Sequence, residues 1–185
     1  MPAVSYSDHD ALGRADRDSR HWRRVLAILT ATLLLAAAGL CSAAPKDGQT
    51  FGDWAVRCEK PKNAPKETCF IFQNHVTKKD HKPVLRIAVG YLPTKNQPVA
   101  VITMPLGIAL PPGVQIKVDN NEAVRVPVER CEPQGCRAGV ILGDKLLAQL
   151  KAGQKAEITF DDGARHPITV PVSLKGFTAG LSSLH

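Results

Sequence analysis

Cysteine is the residue type with the most chemistry to offer in this chain of 185 residues. It occurs five times, at Cys41, Cys58, Cys69, Cys131 and Cys136. Cys41 follows an apolar segment near the N-terminus and goes with it. The other four are an even number, which in an exported chain reads as two disulfides. Of the three pairings, Cys58–Cys69 and Cys131–Cys136 are favoured because each closes a short local loop. The second loop contains Pro133 and Gly135, which turn a chain tightly. Each bridge contributes about 2–3 kcal/mol in the chain-entropy picture. The rival is a four-thiolate zinc site, but the Cys58 to Cys69 spacing is wider than a zinc knuckle uses. The C-x-x-C spacing of a redox-active pair does not occur.

The remaining titratable groups form no catalytic pattern. His75, His81, His166 and His185 are widely spaced, with no H-x-H or H-x-x-x-H pair, and read as surface or loop residues. Nucleophile-elbow, P-loop and dinucleotide fingerprints are missing. Asp119, Glu122, Asp161 and Asp162 fall in turn sequences, and turn chemistry accounts for them better than a calcium site does. Nothing marks a carboxylate pair for glycoside hydrolysis. The expectation is therefore no catalytic residue, no metal and no cofactor. Six lysines fall in two clusters: Lys60, Lys62 and Lys66, then Lys78, Lys79 and Lys82. The two loops are expected at opposite ends of one strand, not in one patch. Lys78, Lys79 and Lys82 are the candidate contacts with an anionic surface.

The elements that must position these residues begin after a leader. Residues 1–24 carry five arginines, Val25–Leu40 is sixteen residues without a charge, and Cys41-Ser42-Ala43 follows. A basic flank, a short apolar core and small residues make a secretory signal, with cleavage after Ala43. Sixteen residues fall short of the ~20 that span a bilayer, so no transmembrane span is expected in the mature form. Leu40 before Cys41 is not the small residue that a lipidated cysteine requires. The domain over residues 44–185 keeps 19 basic and 13 acidic residues. That excess favours anionic partners, while 5% aromatic content argues against a stacking platform for nucleic acid.

Within the domain, period-2 alternation predicts strands. Trp54, Val56 and Cys58 make the first, and Cys69–Gln73 returns as a hairpin with the disulfide near its open side. Leu85–Tyr91 follows. Val99–Met104 is apolar on both faces and suits a central sandwich strand. Val114–Val118 and Val124–Val128 flank an Asn120-Asn121 turn, with Pro127 marking an edge. Gly107–Pro112 is read as core in preference to a docking strip. Val140–Leu142, Ala156–Phe160 and Pro167–Ser173 are further strands. A helix capped by Asp144 carries Leu146, Leu147 and Leu150 and stops at Gly153. Leu174–Leu181 reads as a short helix or turn. About eight strands with turns between them make a β-sandwich.

Four blocks in this order resemble a known family. They are Phe51-Gly52-Asp53-Trp54 with Cys58, Cys69 and Gln73; Pro105-Leu106-Gly107-Ile108 with Pro112-Gly113-Val114; Cys131 to Cys136; and Ser173-Leu174-Lys175-Gly176-Phe177-Thr178-Ala179. Together they are similar to the invasion-associated locus B (IalB) family of exported bacterial proteins, over Phe51 to Leu184. The stretch from Asn74 to Val99 matches no motif. The resemblance implies an all-β, immunoglobulin-like β-sandwich in the Gram-negative envelope, and no reaction. The expectation is a periplasmic or secreted, non-enzymatic protein that contacts an envelope or host-surface partner, anionic by the charge argument. A cell-wall hydrolase or inhibitor and a structural envelope factor are the alternatives. A polar pocket with two or more ionisable groups would favour the enzyme. An exposed apolar strip beside lysines would favour the binding module.

Overall fold

The computed structural model describes residues 45–60, 67–92 and 97–184. The leader over residues 1–43 lies outside the described residues, as do Lys62, Lys66 and His185. Eleven strands are described, in two antiparallel sheets. The larger has the order β1 (Thr50–Phe51), β2 (Trp54–Glu59), β3 (Thr68–Val76), β4 (Pro83–Tyr91), β5 (Pro98–Met104), β9 (Gly135–Ile141), β8 (Arg130–Glu132). The smaller has the order β11 (Pro167–Ser173), β10 (Lys155–Asp161), β6 (Val114–Val118), β7 (Val124–Val126). Side chains alternate across a strand, so one set from each sheet forms the core. Trp54, Val56, Ile71, Ile87, Val89 and Ile102 from the large sheet meet Val114, Ile116, Ile158, Phe160 and Val172 from the small one. The result is the expected β-sandwich. Helix α1 (Asp144–Ala152) packs Leu146 and Leu150 on the core, and α2 (Phe177–Ser182) packs Phe177 and Leu181 there.

The first and last sequence blocks meet in space. The Trp54 indole Nε1 and the buried Gln73 Nε2 both donate to the Ser173 carbonyl, at 2.9 and 2.7 Å. Ser173 Oγ donates to Asp53 Oδ2 at 2.6 Å, and the Asp53 amide donates to the Lys175 carbonyl at 3.1 Å. Phe177 sits edge-on to Trp54 with ring centroids 5.2 Å apart. Gly52 (φ +56°) and Gly176 (φ +87°) both need left-handed backbone, and a Cβ on either would overlap the opposing turn's backbone. These two blocks are a structural clasp between the ends of the domain.

Both expected disulfides form, Cys58–Cys69 and Cys131–Cys136. They consume the four sulfurs that a zinc site would need as thiolates. The first lies at the loop end of its hairpin rather than the open side, because Cys58 pairs with Cys69 and the next pair, Glu59–Thr68, leads straight into the loop. Other local expectations also shift. Gly143, not Asp144, is the N-cap of α1, with no side-chain cap bond; Asp144 is the first helical residue, and Gly153 ends the helix as expected. Leu147 is only partly buried. In the 118–123 turn it is Asp119 that takes the left-handed backbone, at φ 47°. Asn121 instead donates its side-chain amide to the Val118 carbonyl. Gly107–Pro112 is not a core strand. It meets the end of β10 and the residue after it through the Ala109 amide, which donates to the Asp161 carbonyl at 2.9 Å, and an isolated bridge from Ile108 to Asp162; Leu110 and the neighbouring Leu106 are 49% and 57% exposed. The Pro and Gly residues around it break the extended run that a strand would need.

Candidate functional site

The site of interest is the outer face of the large sheet, and its composition follows from register. Strand pairing places Asn74, Arg86, Thr103, Arg137 and Arg130 in one transverse row across β3, β4, β5, β9 and β8. The next row outward along the strands is Ala55, Phe72, Ala88, Val101 and Gly139. The third is Arg57, Phe70, Gly90, Val99 and Ile141. Rows are about 7 Å apart and strands about 4.8 Å apart. A cationic row therefore borders two rows that are largely apolar. Gly90 lets the Phe70 side chain lie close, since a Cβ there would come within 2.9 Å of Phe70 Cβ. The small residues Ala88 and Gly90 form the floor of an open trough of about 290 Å³ that runs from Thr103 and Arg137 to Tyr91 and Leu92.

Arg86 forms one wall of the trough. Its guanidinium carbon is 5.1 Å from the Phe72 ring centroid and 5.7 Å from that of Phe70, and the two rings are edge to face. Cation–π attraction fixes this long side chain along the sheet. No carboxylate pairs with Arg86 among the described residues. Arg137 and Arg130 share Glu132, at 3.8 and 3.2 Å. The Glu129 carboxylate lies against Gly139. At the far end Glu59 pairs with Arg57 at 3.7 Å, and burial pushes the Tyr91 hydroxyl above its ordinary pKa.

The residues singled out from sequence lie elsewhere. Lys78, Lys79 and Lys82 are exposed in the turn between β3 and β4, at the same end of the sheet as the Arg86 row. Lys82 pairs with Asp80 at 3.1 Å. The Asp80 carboxylate is held below its usual range by the Thr77 hydroxyl first and Lys82 second. Lys78 and Lys79 are therefore the less compensated pair. Lys60 lies beyond the opposite end of β3 from Lys78, Lys79 and Lys82, and the rest of its cluster, Lys62 and Lys66, lies outside the described residues. Asp162 is a turn residue. Its Oδ1 accepts from the Ala164 and His166 amides, which lower its pKa together with the His166 ring. Glu157 and Lys155 form an exposed pair at 2.8 Å that shifts each toward its charged form. His75 is half-buried, its Nε2 has no hydrogen-bond partner among the described residues, and desolvation lowers its pKa.

Sequence reading missed the outer face. It treated β5 as buried on both sides and gave Phe70, Phe72 and Arg86 no role. An arginine inside an otherwise apolar strand was the one local hint, and what it lies beside follows only from strand register.

Comparison with known proteins agrees with this architecture. The family model for invasion associated locus B protein matches residues 54–185. Invasion protein B homologs of Brucella abortus strain 2308 and of Brucella abortus biovar 1 strain 9-941 are each 29% identical over 149 residues. That alignment covers 80% of this chain and 84% of each relative. The crystal structure of invasion associated protein B from Bartonella henselae superposes with a TM-score of 0.64 at 24% identity, covering 74% of this chain and 92% of that one. With the family match spanning most of the chain, this protein belongs to the invasion-associated locus B family.

Proposed function

We propose that the protein is an exported, non-enzymatic interaction module of the bacterial envelope or surface that supports association with a host surface. Export rests on the leader over residues 1–43 and agrees with the two disulfides, which form in oxidising compartments. The observation that carries the reading is the outer sheet face, where aromatic and aliphatic side chains line an open trough beside arginines. A contiguous apolar surface with a polar rim is the mark of a binding site. The shifted carboxylates support the same reading, because each answers to its own turn or strand neighbour and none converges with others on a cleft. The β3–β4 turn adds a second element, in which Lys78 and Lys79 speed approach to anionic surfaces and act less as salt rises.

The test is binding of the purified, oxidised protein to host-cell surfaces and to envelope extract across a salt series. Val101→Asp puts a charge on the trough floor, and is expected to abolish association at every salt while the melting curve stays cooperative. Lys78→Ser with Lys79→Ser is expected to weaken association at low salt only. Unchanged binding by Val101→Asp would refute the role of the outer face.

A further inference from the structure

We infer that the trough on the outer sheet face binds a straight-chain fatty carboxylate, its head at Arg86 and its chain over Val99 and Gly90. This deepens the interaction reading and rests on it. The floor selects the body of the ligand. Ala88, Gly90, Val99 and Val101 offer aliphatic surface with little side-chain hydrogen bonding. A sugar or a polar peptide would leave its own donors and acceptors unpaired there, at a cost in affinity. From Arg86 to Tyr91 the β4 backbone covers about 17 Å, the reach of an extended acyl chain. The volume, about 290 Å³, is at the small end for ligand sites and suits one chain better than two.

Charge selects the head. Arg86 has five N–H donors, is held over two rings and meets no carboxylate among the described residues. A planar carboxylate matches its fork bidentately. On the outer face Arg130 and Arg137 are offset by Glu132 and Glu129. That leaves about one unbalanced positive charge, which suits a monoanion better than a phosphate monoester. At the opposite end Arg57 is shared by Glu59 and Asp47, at 3.7 and 3.8 Å, so that end is net negative and disfavours an anionic head, which gives the ligand one favoured direction. Thr103 Oγ, in the same row as Arg86 and Arg137, supplies a further donor beside the head.

The experiment is titration calorimetry of the oxidised full chain with decanoate below its micelle concentration. Butanoate, 1-decanol, decyl phosphate and an acidic peptide serve as comparison ligands. Decanoate is expected to bind saturably at one site, and butanoate and 1-decanol to bind far more weakly. Arg86→Gln is expected to weaken decanoate by about tenfold to a hundredfold. Arg86→Lys should recover only part, because an ammonium lacks the fork. Both are surface changes, and their melting curves check the fold. No decanoate binding, equal binding by Arg86→Gln, or tighter binding of decyl phosphate or the acidic peptide would each overturn the proposal. The two readings fail separately. If Val101→Asp abolishes cell association while decanoate does not bind, the face is an interaction surface for another ligand. If decanoate binds while Val101→Asp leaves association intact, the ligand site stands and the interaction reading falls.

Discussion

Replacing Gly176 by Ala tests whether the two terminal sequence blocks form a clasp. Gly176 has φ +87° and its missing Cβ would overlap the Phe51 carbonyl and the Gly52 amide. Gly107 has nearly the same backbone, φ +88°, yet has nothing within 4 Å of where a Cβ would stand. Left-handed backbone costs a non-glycine residue about 1–2 kcal/mol, so Gly107→Ala should lose that alone. Gly176→Ala carries the same strain and must also push the 173–177 turn off the 51–54 turn. That strains the Asp53 amide bond to the Lys175 carbonyl, about 1 kcal/mol. It also loosens the edge-to-face contact of Trp54 with Phe177, both 1% exposed, for about 1–2 kcal/mol more, a fraction of a full aromatic deletion. The expected losses are about 3–5 kcal/mol for Gly176→Ala and about 1–2 kcal/mol for Gly107→Ala. Urea unfolding with disulfides intact reads the difference as a midpoint gap of about 1–2 M at unchanged slope. Equal midpoints for the two variants would refute the clasp.

Two further outcomes are expected. Replacing Cys58 and Cys69 together by Ser should lower stability by about 2–3 kcal/mol, seen as a drop in melting temperature of about 6–12 °C; an unchanged melting temperature would mean that the bridge constrains nothing. His75 is depressed below 6.5 by burial, so the unfolded chain takes up its proton first and stability falls as pH drops from about 6.5 through the folded value. A urea midpoint followed from pH about 7.5 to about 5 should fall less in His75→Phe than in the parent; parallel curves would rule His75 out as the cause.

The hairpins, the disulfides, the helix stop at Gly153 and the edge place of β7, which ends at Val126 just before Pro127 instead of running to Val128, were legible because each is encoded within a few residues. Alternation gives the strand, a turn residue gives its end, and a short cysteine spacing gives its own partner. The local errors came where two nearby residues compete for one role. Asp119 rather than Asn120 or Asn121 took the left-handed position, and its carboxylate also accepts from the Gln154 and Lys155 amides. Those contacts span more than thirty residues, and no local rule reports them.

The outer face was illegible for a different reason. Val99, Val101 and Thr103 belong to a strand whose apolar residues occupy both faces, and such a strand reads as buried on both sides. The inference fails when the second layer covers only one face. Hydrophobicity on the other face is then free to serve a ligand. What separates the cases is not in the strand but in its neighbours. A doubly buried strand is flanked by strands that are apolar on both faces as well. β5 is flanked by β4, which sets Arg86 and Gly90 on its outer face, and by β9, which sets Arg137 and Gly139 there. A charged residue and a glycine on the same face cannot both be core packing. The arginine would be a buried charge without a partner, costly by several kcal/mol, and the glycine would leave a gap in a packed layer. Only a face open to solvent tolerates both, and on an open face the apolar residues between them need another use. Knowing that Arg86 and Gly90 share a row system with Val99 and Val101 requires the β4–β5 register, which is a tertiary fact. Register, more than composition, therefore turns five ordinary strands into a candidate binding site.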